Sequence, residues 1–321
     1  MGADDATRNT PQCGMQRNAG IILGIVVVVL AIFVGFLLFS SSDTPPASSA
    51  SPDASASAEP STELNAELLD RRWTVLYVGT DLNSTRRADG AGPNTDALML
   101  ASLSADQSQL TLISLPRDTV DVPLADGETW TEKINGLYNA QGIDALVSAM
   151  ETLYGVPIDA HVVLDMDDFA RLVDAAGGIE VSPPEPLVDP IVDLDLAAGD
   201  QELDGPTTLA YVRTRVDQDY GRMGRQQEAS AALVRKLVDP ETDLDVREVI
   251  DSLESLETDL PLDDLPTLLE LARRATDAEV HNLLIRPPLI TFEGDRNDGR
   301  GYVLEPDVEA IRAEVQGLIG D

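Results

Sequence analysis

The 321-residue chain holds one cysteine, Cys13, two histidines, and only two lysines, Lys133 and Lys236. A lone cysteine excludes an intrachain disulfide and any zinc or iron–sulfur site built from cysteines. It sits in PQCG without the preceding apolar residues of a lipoprotein cysteine, and reads as an incidental thiol. His161 and His281 fall in strand-like apolar runs and read as structural, which leaves no material for a histidine-driven triad or a zinc site of several imidazoles. Positive charge is scarce: 22 Lys+Arg face 57 Asp+Glu, for a net charge of −35 at pH 7. Such a chain is a poor nucleic-acid binder, because that role needs a basic face to displace counterions from phosphates. General adhesion to anionic lipid headgroups is disfavoured for the same reason. Hydrophobic residues still make up 43 % of the chain, enough to bury a core, so global disorder is excluded. Also absent are a P-loop, a Gly-x-Gly-x-x-Gly turn and a Gly-x-Ser-x-Gly elbow.

One long apolar run is present. GIILGIVVVVLAIFVGFLLF, residues 20–39, carries no charge, and none falls between Arg17 and Asp43. At ~1.5 Å rise per residue this run spans the ~30 Å hydrocarbon layer, so it reads as a transmembrane helix. The alternative, a cleaved signal peptide, has an apolar region of only about 7–15 residues. Arg8 and Arg17 precede the run, whereas Asp43, Asp53 and Glu59 follow it. That asymmetry predicts a single-pass protein of the cell membrane, with a short cytoplasmic tail over 1–19 and the main domain extracytoplasmic. Residues 40–70 read as a flexible linker, since 40–62 are dominated by Ser, Ala and Pro and cannot bury enough apolar area to offset chain entropy.

Residues 71–321 read as one domain. WTVLYVGT (73–80), ALMLASLS (97–104), QLTLISLP (109–116) and DAHVVLDM (159–166) are β-branched or aliphatic runs that suit buried strands of one sheet. Apolar residues at three and four spacing predict helices over 143–154 and 167–176, the second stopped by Gly177-Gly178. Further helical patterns at 226–238, 246–257, 264–275 and 306–319 supply cover for the sheet, giving an α/β layered domain.

The strongest chemical signal is YVRTRVDQDYGRMGRQQ, residues 211–227, which places Arg213, Arg215, Arg222 and Arg225 close together in an acidic chain. In an extended segment Arg213 and Arg215 share a face, and in a helix so do Arg222 and Arg225. Four converging guanidiniums make a phosphate site, because arginine binds oxyanions bidentately and stays charged; salt bridges to the abundant carboxylates are the plain alternative. Arg117 follows a strand-like run, where α/β folds gather ligands, or closes a turn through Asp118. Asp81 and Asp96 lie at strand-to-loop junctions, as Mg²⁺ ligands beside phosphate or as solvated surface groups.

Taken in order, LYVGTD (76–81), TDALML (95–100), LISLPRDT (112–119), KING (133–136), DMDDFARLVDAAGGIEV (165–181), LDGPTTLAYVRTR (203–215) and DYGRMGRQQ (219–227) resemble the LytR-CpsA-Psr family of bacterial cell-envelope proteins. The resemblance implies a three-layer αβα domain around a mixed sheet. It implies a phosphotransferase that moves a glycopolymer phosphate from a polyprenyl diphosphate carrier to peptidoglycan. Arg117, Lys133, Arg213, Arg215, Arg222 and Gln226 would then hold the diphosphate, and Asp81 and Asp96 would hold Mg²⁺ or Mn²⁺. Arg117, Arg213 and Arg215 would act in catalysis, with Asp118 or Asp219 as the base for a sugar hydroxyl. Asn94 departs from the family pattern, which commonly has an arginine there; Arg86 or Arg87 is the available replacement. Leu146, Met150, Leu153, Phe169 and Leu172 are candidate walls of a lipid channel or ordinary core. A lipid diphosphatase and a catalytically silent lipid-binding or regulatory module are the alternative functions.

Overall fold

The computed structural model describes residues 64–239, 241–252 and 256–319. Its centre is a six-stranded mixed sheet of β1 (Trp73–Thr80), β2 (Thr95–Leu103), β3 (Gln109–Ser114), β4 (Ala160–Asp165), β5 (Glu257–Thr258) and β6 (Glu279–Leu284), in the order β5-β4-β1-β2-β3-β6. β2 is antiparallel to β1 and β3, and β4 is parallel to β1. The carboxyl ends of β1, β3 and β4 and the amino end of β2 therefore meet at one edge.

Both faces of the sheet are covered, as expected for strands apolar on both sides. Val75, Tyr77, Met99, Leu112, Val162 and Leu164 face one layer, made by α2 (Met166–Ala175), α3 (Gly205–Arg213), α4 (Gln218–Val238) and α5 (Leu265–Asp277). Leu76, Val78, Leu98, Leu100, Ile113 and Val163 face the other, where α1 (Ile143–Tyr154) packs with α6 (Val308–Ile319). The period of two along each strand assigns alternate residues to opposite layers. The result is the three-layer αβα arrangement.

Helix boundaries follow their caps. α1 runs to Tyr154 because Gly155 takes φ +70°, returning its N–H to Glu151 O at 2.8 Å. α2 begins at Asp165, whose side chain accepts from Asp168 N at 2.9 Å. α4 starts earlier than its apolar pattern suggested. The helix expected over 246–257 is Val246–Asp251, and Glu257–Thr258 pairs with β4 instead. A helix at Ala66–Leu69 falls within the stretch read as linker. Leu69 is buried in the core, and Asn65 N–H donates to Thr267 Oγ1 at 2.8 Å. Among the described residues no helix is long and apolar enough to cross a membrane; the 20–39 run lies outside them.

Candidate functional site

The edge where β1, β2, β3 and β4 end carries Asp81, Asp96, Arg117 and Asp165, one from each strand or the turn beside it. A cleft opens there, between the sheet and helices α2, α3 and α4. Its lining combines apolar Tyr77, Leu164, Phe169, Leu209 and Val212 with Arg117, Arg213, Arg215, Gln226 and the buried Arg222. Small residues leave the space open: a Cβ on Gly79 would lie 3.0 Å from Ala97 Cβ on the neighbouring strand.

The arginines reach the cleft by three routes. Arg117 follows Pro116 directly after β3. Its loop is fixed by KING, as Ile134 N–H donates to Thr119 O at 2.8 Å and Asn135 N–H to Arg117 O at 3.2 Å. Arg213 and Arg215 are not in an extended run, as the sequence suggested. Asp204 caps α3 by accepting from Thr207 N, and the helix continues to Arg213. Thr214 leaves the helix at ψ 145°, and Arg213 and Arg215 on either side of it both line the cleft. α3 sits close against α2 through Gly205, where a Cβ would come within 2.2 Å of Ala170 O. Arg222, Gln226 and Ser230 form an i, i+4, i+8 stripe of α4 facing the cleft.

Arg225 does not join them, correcting the expectation that it shares a face with Arg222. It is buried on another side of α4, donating to Tyr211 O at 2.9 Å, Thr214 O at 2.5 Å and Asp217 Oδ2 at 2.6 Å. It braces the loop that carries Arg213 and Arg215. The lipid-wall expectation also divides. Phe169 lines the cleft. Leu172 is sealed in the core, and Leu146, Met150 and Leu153 are fully buried on the opposite face of the sheet, against α6.

The electrostatics favour an anion. Arg117 donates to Asp96 Oδ1, yet its buried Nε has no hydrogen-bond partner. A buried donor left open asks for an acceptor. Burial weakens the proton affinity of Arg117, but Asp96, Asp118 and Asp219 more than offset it and hold its pKa above the ordinary value. Arg215 is shifted the other way, first by burial and then by the charges of Arg117 and Arg222. That mutual repulsion is what an oxyanion in the cleft would relieve.

The carboxylates around the cleft are each engaged. Asp219 accepts from Arg222 Nε at 2.9 Å and Nη2 at 3.1 Å, with Arg215 Nε at 3.6 Å. Asp118 pairs with Lys133 Nζ at 2.9 Å and lies 3.8 Å from Arg117 Nε. Lys133 thus meets the cluster through Asp118 and is not itself part of the cleft wall. Asp81 accepts from Asn94 N at 2.8 Å and Asn94 Nδ2 at 3.0 Å, with Arg86 Nε at 3.4 Å. Arg86 thus stands beside Asp81, while Arg87 pairs with Asp165. Among the described residues no three His, Cys, Asp or Glu side chains form a metal cage. Asp96 lines the cleft while Asp81 lies outside its wall; both are hard oxygen donors of the kind Mg²⁺ takes, held here by Arg117 and by Asn94 with Arg86 respectively.

Asp165, Leu209, Val212 and Ser230 were not singled out from sequence as cleft residues. The helical spacing of Leu209 and Val212 in LAYVR, and of Gln226 and Ser230, is the signal that carried them.

Residues 39–315 match the LytR_cpsA_psr family. "Probable cell wall biosynthesis protein LcpB" of Corynebacterium glutamicum is 38 % identical over 152 residues, 46 % of this chain and 35 % of that protein. "Polyisoprenyl-teichoic acid--peptidoglycan teichoic acid transferase TagU" of Halalkalibacterium halodurans is 27 % identical over 304 residues, covering 92 % of this chain and 94 % of TagU. The crystal structure of Bacillus subtilis TagV shares the fold at a TM-score of 0.60 and 23 % identity, over 78 % of this chain and 98 % of TagV. The matched region thus spans about a third of LcpB and nearly all of TagU.

Proposed function

Because the chain belongs to the LytR_cpsA_psr family, we propose that it is a phosphotransferase of cell-wall assembly that moves a glycopolymer phosphate from a polyprenyl diphosphate carrier to peptidoglycan. The observation that carries this reading is a cleft whose lining combines apolar side chains with four arginines, the two chemistries of a lipid diphosphate. The polyprenyl chain lies along Phe169, Leu209 and Val212, and Arg117, Arg213, Arg215, Arg222 and Gln226 take the diphosphate. In the reaction an acceptor hydroxyl oxygen bonds to the sugar-bearing phosphorus, the diphosphate P–O bond breaks, and polyprenyl phosphate leaves with the bond's electron pair. Arginines aimed at the phosphoryl oxygens stabilise the charge that develops there. Asp81 and Asp96 would hold Mg²⁺ or Mn²⁺, which supplies further charge neutralisation. Asp118 is the proposed base for the hydroxyl proton, and its ion pair with Lys133 also sets the position of that lysine. The apolar run at 20–39 anchors the enzyme in the cell membrane, with its main domain on the outer side.

The test combines full-length protein, Mg²⁺, a polyprenyl-diphosphate-linked glycopolymer and peptidoglycan, and measures polyprenyl phosphate released and polymer joined to the wall. Release that depends on Arg117, Arg213 and Arg215 is expected. Equal release by the wild type and Arg213→Ala would overturn the reading. A second reading, a lipid-binding module without turnover, draws on the pairing of Asp81 with Asn94 and Arg86; tight lipid binding without metal-dependent release would favour it.

A further inference from the structure

A β-hairpin of β7 (Ile290–Asp295) and β8 (Tyr302–Pro306) lies against the arginine edge, outside the motifs that identify the fold. It is fastened to the loop that carries Arg117 and Asp118: Leu304 N–H donates to Asp118 O at 3.1 Å, and Val120 N–H donates to Leu304 O at 3.0 Å. Arg300 fastens it again, donating to Thr131 O at 2.9 Å and pairing with Asp121 at 3.1 Å. Tyr302, two residues before Leu304, is thereby held on the side of the Asp118 loop, yet the residue remains 49 % exposed.

An exposed aromatic ring is usually mobile. This one is not left so, because its hydroxyl donates to Glu293 Oε1, and Tyr220 from the first turn of α4 donates to Glu293 Oε2 at 3.1 Å. One carboxylate thus orients two phenols from two elements. The Tyr302 pKa is pushed up to about 12, first by loss of solvent and the Glu293 bond, and then by the charges of Asp219 and Asp118, as its place on the rim of the cluster requires. Phosphate and lipid binding, as proposed above, make no use of Tyr302, exposed and pre-oriented beside the half-buried Tyr220.

We infer that Tyr302, oriented by Glu293 and flanked by Tyr220, is a stacking subsite for a pyranose ring at the mouth of the cleft. The inference rests on the phosphotransferase reading above. A tyrosine ring offers an apolar face to the C–H face of a sugar, while the Glu293 carboxylate and the two phenolic oxygens offer hydrogen bonds to its hydroxyls. A ring fixed in advance loses little freedom when the sugar arrives. The pyranose comes either from the acceptor glycan or from the first sugar of the donor.

The experiment uses the full chain, Tyr302→Ala and Tyr302→Phe. Saturation-transfer NMR with soluble peptidoglycan glycan fragments reads sugar contact, and steady-state transfer reads KM for donor and acceptor separately. Tyr302→Ala is expected to raise one KM by about five- to tenfold, the worth of one aromatic contact. A rise in acceptor KM assigns the acceptor sugar, and a rise in donor KM assigns the donor sugar. Tyr302→Phe, which keeps the ring but loses its orientation, should lie between. Binding of polyprenyl diphosphate, measured by calorimetry, should be unchanged in both variants. If both KM values and the glycan contact stay at wild-type levels while the diphosphate still binds, the sugar subsite is overturned and the enzyme reading stands. If wild-type protein binds no polyprenyl diphosphate, it is the enzyme reading that fails.

Discussion

The two faces of the sheet are built from the same strands, yet one is sealed and the other opens into the cleft. On the sealed side Leu146, Met150 and Leu153 of α1 meet Ile311, Val315 and Ile319 of α6, and large aliphatic side chains fill the layer. On the open side Gly79 and Ala97 sit at the strand ends, and α3 and α4 stand back with arginines in the lining. Burying guanidiniums without partners is costly, so that end of the layer remains open for an oxyanion ligand. A core and a binding site therefore differ here in side-chain volume at a few strand positions and in where the cations are placed.

The comparison can be broken first on the sealed side. Leu153→Ala should cost about 2–5 kcal/mol of stability by leaving a cavity in a layer that cannot collapse, while turnover per folded molecule is kept. Chemical denaturation followed alongside the transfer assay checks both halves. On the open side Arg117→Ala should lower turnover by about a hundred- to a thousandfold, with the unfolding midpoint changing far less than for Leu153→Ala.

Arg225 tests whether the open side has structural arginines too. Arg225→Met removes donors to Tyr211 O and Thr214 O, and should destabilise by about 1–3 kcal/mol. Its effect on turnover should follow from a loosened Arg213–Arg215 loop, which raises KM for the lipid; an unchanged melting temperature would contradict the bracing role. Ala97→Phe would make the open side resemble the sealed one. Filling the cleft should weaken polyprenyl diphosphate binding by about tenfold, read by calorimetry, with stability little affected.

The smallest effect concerns pH. Asp189 accepts from Thr214 Oγ1 at 2.6 Å and from Ile191 N, which lowers its pKa below the ordinary aspartate value. A depressed folded pKa means that ionised Asp189 stabilises the fold above about pH 4 and that this contribution is lost as the pH falls through the folded value. Asp189→Asn should therefore narrow the stability gap between pH 6 and pH 3, as read by thermal melts at the two pH values.

Much of this was legible in the residues. α1 ends where Gly155 ends it, and the strand cores at 73–80 and 109–114 follow from aliphatic runs bounded by turn residues. Arg117, Arg213, Arg215 and Arg222 stood out by scarcity of positive charge, and the structure brings them to one cleft. Arg225 did not follow: three residues along a helix leave it only about 60° from Arg222, and within that margin the carbonyls of Tyr211 and Thr214 claimed it. Leu146 and Phe169 look alike as apolar helix residues. Which lines a cleft depends on which side of the sheet its helix packs, and helical periodicity carries no such sign. That Arg86 pairs with Asp81 and Arg87 with Asp165 was set by the loop between β1 and β2, which no sequence pattern fixed.

Composition and order alone determined that the chain builds a covered sheet and concentrates its scarce positive charge over 213–225 and at Arg117 after a strand, because apolar periodicity and charge scarcity are local properties. Which arginines face a ligand, which apolar residues leave a void and where the 290–306 hairpin brings Tyr302 were decided only in three dimensions. Each depends on contacts between segments far apart in the chain, and no window of sequence contains both partners.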